Sequence, residues 1–156
     1  MEYVEELIFA MIVSATPLEM KTGIPYAILQ TEIPTFYAYF FCSAANVLAF
    51  PITYTFFEFL HKRFFKYKGY KKFSIKMARR AKDKTGKLVD KYGFWGILIF
   101  VLIPLPLTGA YMGSIASWVF GLNRKEAFAS VAIGIMLSGI IVTIFSLAAK
   151  NGAAAI

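Results

Sequence analysis

Glu19 and Lys21 stand two residues apart between Pro17 and Pro25, and no other charge occurs from Leu7 to Thr31. A charge in so apolar a stretch is costly in a bilayer unless it is paired or hydrated, which makes both residues candidates for function. Two chemistries fit them. As an ion pair they hold an interrupted backbone together. Alternatively Glu19, deprived of water, carries a transferable proton while Lys21 counters the negative charge of a substrate group. Two uncharged polar residues join this candidate site. Asn46 sits inside an apolar run, where an amide hydrogen-bonds backbone that proline has freed, and Thr108 lies between Leu107 and Gly109 in a second proline-broken run.

Other chemistries find no support. The chain has one histidine, His61 beside Lys62 and Arg63, and one cysteine, Cys42, so no thiolate metal site or internal disulfide is expected. No metal-spaced histidines, nucleophile elbow or phosphate loop occurs, so no catalytic residue, metal or cofactor is expected and the protein is not read as an enzyme.

The elements that must position these residues are membrane segments. Of 156 residues 58% are hydrophobic and 17% aromatic, far from soluble usage. Uncharged runs span 33–57 and 127–149, each long enough to cross once. A third, 92–123, is 32 residues long, too many for one straight span and too few for two. Pro104, Pro106 and Gly109 break it at the centre, with Gly113 one turn on. The run reads as a hairpin that enters the membrane, turns near mid-depth and leaves on the side it came from. Pro17, Gly23 and Pro25 break residues 1–31 in the same way.

Charge is segregated. Residues 61–91 hold 13 of the 17 Lys and Arg and two acids, a local charge of +11, while the rest of the chain sums to −3. Flanking membrane segments make cytoplasmic orientation a simpler account than nucleic-acid binding, which is not expected. Phe73, Met77 and Ala81 share a helical face, with Lys76, Arg79 and Arg80 among the bases beside them, so the linker reads as a helix on the inner surface contacting anionic lipid. The acidic start, Met-Glu-Tyr-Val-Glu-Glu, is unlike a secretory signal, and residues 152–156 are read as a cloning remainder that carries no argument.

The expected fold is a single all-α membrane domain of two inverted repeats: hairpin 1–31, span 33–60, basic linker 61–91, hairpin 92–123 and span 127–149. Re-entrant hairpins place Arg124 and Lys125 inside with the linker and both termini outside, as the positive-inside tendency asks. Facing hairpin tips at the midplane are the plan of many secondary transporters.

Two stretches carry a resemblance. Residues 17–27, Pro-Leu-Glu-Met-Lys-Thr-Gly-Ile-Pro-Tyr-Ala, and 103–113, Ile-Pro-Leu-Pro-Leu-Thr-Gly-Ala-Tyr-Met-Gly, resemble the small multidrug export protein family, itself related to the DedA superfamily with its VTT-domain members. The resemblance covers nearly the whole chain and implies two facing re-entrant loops, two spans and movement of something across or between leaflets. Family members typically carry arginine where this chain has Lys21; charge is kept and the bidentate fork is lost. DedA relatives are implicated in flipping polyprenyl phosphate carriers.

The expected activity is therefore proton-coupled secondary transport in the cytoplasmic membrane, of a small molecule or, alternatively, of a lipid phosphate. The chain is also expected to form a homodimer that shields broken backbone from lipid. A non-transporting scaffold that deforms the bilayer is the remaining reading. Single cysteines placed at Tyr92 and Asn123 in a Cys42-free background are expected to react with an impermeant maleimide from the same side of the membrane; opposite sides would remove the second hairpin.

Overall fold

The computed structural model describes residues 2–15, 20–64, 69, 71–72, 75–76, 79, 92–104 and 108–153. Among the described residues the main helices are α1 (Glu2–Ala15), α2 (Met20–Gln30), α3 (Thr35–Phe64), α4 (Phe94–Leu102), α5 (Ala110–Val119) and α6 (Arg124–Ala153). No strand occurs among the described residues. Of the stretch expected as basic linker, residues 61–64 instead continue α3, and the described positions 69, 71, 72, 75, 76 and 79 are helical and exposed, Lys76 and Arg79 among them. Arg80 lies outside the described residues.

Helix length separates two kinds of element. The 30 residues of α3 and of α6 make rods of about 45 Å, and both carry windows long and apolar enough to cross a membrane. The 14 residues of α1 reach about 21 Å, and α2, α4 and α5 are shorter still, less than the hydrocarbon thickness of about 30 Å. Each half of the chain is thus two short helices around a break followed by one long helix.

Local chemistry sets these boundaries. The amide proton of Leu122 bonds the Ser117 carbonyl at 3.0 Å and that of Gly121 the Trp118 carbonyl at 3.2 Å, a paired closure of α5 that needs Gly121 at φ 67°. Asn123 then caps α6, its carbonyl accepting from Ala127 at 2.8 Å and its side chain from the Lys125 amide at 3.3 Å. Pro34 starts α3 in the same role, its carbonyl accepting from Tyr37 and Ala38. Two prolines lie inside helices. Pro25 supplies no N–H for the Lys21 carbonyl, and Pro51 supplies none for that of Val47.

The packing is the same under exchange of the halves. Within the first half α1, α2 and α3 all touch one another, as do α4, α5 and α6 in the second. Between halves, α2 lies against α6, α5 against α3, and the long helices against each other. Phe50 meets Phe128 and Arg124 reaches Thr55, whereas Tyr39 reaches Met136, so α3 and α6 run antiparallel. Arg124 also lies 5.6 Å from the centroid of the Tyr54 ring, a cation–π contact at one end of the pair.

The exterior is far more apolar than that of a water-soluble protein, and small polar residues join the apolar core. Phe36, Ile52, Phe59, Ile144 and Phe145 are more than half exposed, while Ser14, Ser43, Asn46, Ser117, Ser130 and Ser138 are buried. Most buried hydroxyls are satisfied by their own helix: Ser14 bonds the Ala10 carbonyl at 2.8 Å, Ser117 that of Gly113 at 2.7 Å and Ser146 that of Val142 at 2.8 Å. Short side chains let helices approach closely in lipid. Gly23 faces α1 so closely that an added Cβ would stand 2.7 Å from the Ala10 carbonyl oxygen, a backbone atom that cannot move aside. Gly134 does the same for α4, 3.0 Å from the Leu98 carbonyl.

Gly23→Val is accordingly expected to lower thermal stability in detergent by about 2 kcal/mol or more through overpacking. Gly152→Ala, at a position with open space around it, serves as the control and is expected to leave the midpoint unchanged. Equal midpoints for the two variants would mean that α1 and α2 do not pack this closely.

Candidate functional site

The site begins at the C-terminal ends of α1 and α4. A helix end leaves carbonyls without internal partners and carries partial negative charge. In a hydrocarbon interior no water is on hand to satisfy them. The end of α1 is met by a side chain from the second half of the chain, and the end of α4 by Thr108 of its own half, to which a side chain from the first half donates.

Tyr111, the second residue of α5, donates its hydroxyl to the carbonyl of Ala15, the last residue of α1. Lys21, the second residue of α2, donates from Nζ to the Thr108 hydroxyl at 2.7 Å. Thr108 in turn donates its only hydroxyl proton to the carbonyl of Ile103, just past the end of α4, at 2.9 Å. The two ties occupy corresponding places in the two halves and run in opposite directions. Asn46 adds a third bond, from Nδ2 to the Ser14 carbonyl at 3.0 Å. Asn46 lies close to the midpoint of the apolar window of α3, residues 35–59, so α1 stops at mid-height of that helix. Gly134, at the matching place in α6, meets Val101 at the end of α4.

The electrostatics of Lys21 follow from these contacts. A cation in the first turn of α2 is opposed by that helix's own dipole. Through Thr108 its charge is passed to the end of α4, where the dipole favours it. Thr108 is buried at 3% exposure, which shields the relay from solvent. Asn46 is fully buried and its Oδ1 has no hydrogen-bond partner, as is also true of the Ser138 hydroxyl. An unsatisfied buried acceptor beside a helix end is a place for a polar atom of water or ligand.

The residues expected at the site divide as follows. Lys21 and Thr108 are brought into direct contact, and Asn46 is placed against the first break. Glu19 and Pro17 lie outside the described residues, as does Pro106; by sequence Glu19 directly precedes the first residue of α2. Pro104 is exposed in the second break and Gly109 immediately precedes α5. Gly23 and Pro25 lie inside α2, and Gly113 inside α5, so the breaks are shorter than the proline and glycine spacing predicts. A broken segment that resumes its helix within a few residues keeps most backbone groups paired, which a lipid environment demands. Sequence reasoning passed over Tyr111 and Ser14. The available signal for Tyr111 is its place in α5, which matches that of Lys21 in α2.

No group of three or more metal-ligating side chains occurs among the described residues. No curated protein and no solved structure matches the chain. Residues 19–141 match the model of a family described as "Putative small multi-drug export protein", a stretch that includes both hairpin breaks from Glu19 onward and most of α6. With two helices among the described residues long and apolar enough to span a bilayer, and a family match over more than half its length, this chain is a membrane protein that belongs to the small multi-drug export protein family.

Proposed function

We propose that the protein is a secondary transporter whose two hairpins are inverted repeats, entering from opposite faces and meeting at mid-depth. The observation that carries this reading is the pair of crossed ties, Tyr111 to Ala15 and Lys21 to Thr108. Three further features support it. The short helices are less than a bilayer long, the long helices run antiparallel, and the packing is unchanged when the halves are exchanged. Broken helices are tolerated in lipid where protein buries them or water reaches them, and transporters place their sites there.

In this mechanism the substrate site lies where the hairpins meet, bounded by Lys21, Thr108, Asn46 and the carbonyl ends of α1 and α4. Rocking one half against the other breaks one tie while keeping the other, and so exposes the site to one side at a time. Glu19, which directly precedes Met20 in the sequence, exchanges the coupling proton. Lys21 offsets the negative charge that appears when Glu19 is deprotonated. Asn46 Oδ1 is the remaining acceptor for a polar atom of the cargo.

Purified protein in proteoliposomes loaded with pyranine tests this reading. Addition of lipophilic drugs is expected to drive proton movement, and Glu19→Gln to abolish it. Lys21→Ala is expected to slow it roughly tenfold or more, as loss of a buried charge contact does. Unchanged proton flux in Glu19→Gln would overturn the coupling. Absence of drug-dependent flux in the unmodified protein, over a broad panel, would favour a non-transporting scaffold.

A further inference from the structure

An apolar groove of about 660 Å³ lies beside the meeting point of the hairpins. Ile8 and Ile12 of α1 form one wall, and Leu48, Ile52 and Phe56 of α3 form the other. Ala15 and Tyr111, the partners in the first crossed tie, line it as well. Its α3 residues run from Ala45 to Phe57, inside the apolar window of that helix. The groove therefore opens at hydrocarbon depth, and Leu48 at 63% and Ile52 at 71% exposure stand at its rim.

Its chemistry is selective. The hydroxyls of Thr53 and Tyr111 are the only side-chain oxygen or nitrogen atoms among the described lining residues, and no charged residue is present there. Burying an ion against such walls is costly without a partner. An uncharged body with a hydrogen-bonding group at one end meets them without loss. The volume falls within the range of small-molecule sites, about 300–1,000 Å³, lined mainly by apolar side chains with a few placed polar groups.

We propose that this groove is the lateral entry and binding site for the transported molecule, and that the cargo is a neutral amphiphile drawn from the bilayer rather than from water. The proposal rests on the transport reading for the word cargo. The occupant follows from continuity: the groove shares Ala15 and Tyr111 with the tie, so a bound molecule's polar end lies against the junction that must open. A neutral cargo also leaves Lys21 to its contact with Thr108.

The test uses photolabelling of the full chain in nanodiscs with a diazirine-bearing dodecanol, mapped by mass spectrometry. Labelling of the segment holding Leu48 and Ile52 is expected to saturate, and excess dodecanol is expected to reduce it roughly tenfold. Equal concentrations of dodecyl phosphate or dodecyltrimethylammonium are expected to leave it unchanged. Leu48→Trp, which fills the groove from its exposed rim, is expected to lower this labelling while sparing the segment around Ile144, an exposed position on α6. Ile12→Trp fills it from the opposite wall and is expected to do the same. Labelling that rises in proportion to probe, is equal at Ile52 and Ile144 and ignores both tryptophans would mean that bulk acyl chains occupy the groove. Disulfide linkage of two copies through Leu48→Cys, in a Cys42-free background, would assign the groove to a second copy. Equal competition by the charged analogues would overturn the cargo class. Saturable labelling without drug-driven proton flux would keep the groove and remove the transport reading; flux without saturable labelling would remove the groove alone.

Discussion

A helix that ends inside a membrane protein leaves carbonyls that lipid cannot satisfy. That constraint organises this protein. Ala15 ends α1 and is reached directly by Tyr111 of the second half; Leu102 ends α4, where Thr108 bonds the Ile103 carbonyl and is itself bonded by Lys21 of the first half. The individual bonds are modest; hydrogen bonds between helices in membranes average about 0.6 kcal/mol. Their weight comes from the alternative, because an unsatisfied backbone group in hydrocarbon costs several kcal/mol. The first break depends directly on the second half for its donor, and the second is tied to the first through Thr108, which couples the two halves.

Close approach is the second condition for those ties. Tyr111 spans the space to Ala15 with one aromatic ring, and Lys21 reaches Thr108 with one side chain, so the helices carrying them must be held near. Small residues do this. Gly23 brings α2 against α1, Gly134 brings α6 against α4, and Gly139 admits Tyr39 and Ser43 of α3 against α6. The core they enclose is continuous through both halves, with Ile24, Cys42 and Phe50 from the first and Val101, Val131 and Ile135 from the second in one cluster. Phe50, Tyr54 and Phe100 join that core, while other aromatic residues face outward, where lipid accepts them: Phe36 stacks on Phe40, and Phe94 packs edge-on against Trp95.

Much of this architecture was legible in the chain, for a physical reason. Proline and glycine act locally, so Pro104 and Gly109 announce a break wherever the chain folds. Uncharged length likewise bounds the spans whatever their partners. The limits of the breaks were less legible. Pro25 marks a helix-breaking residue, yet α2 continues through it, because packing against α1, α3 and α6 outweighs one missing donor. Tyr111 was hidden for a different reason. A tyrosine in an apolar run reads as an interfacial anchor, and only the placement of Ala15 against it turns its hydroxyl into a tie. The groove is less legible still. Ile12, Leu48 and Ile52 look like any lipid-facing residues, and their concavity exists only once α1 stops short beside α3.

The lysine at position 21, where the family resemblance implies arginine, fits the geometry around it. A guanidinium presents several donors in a rigid fork and is matched by a carboxylate or phosphate that accepts two of them. Thr108 presents a single oxygen, and its one proton is committed to the Ile103 carbonyl. A point charge on a flexible stem meets that target well, and the favourable term is its electrostatic fit to the end of α4 rather than a bidentate contact. The substitution thus preserves the tie, surrenders planar recognition of an anion, and agrees with a cargo that brings no charge of its own to the junction.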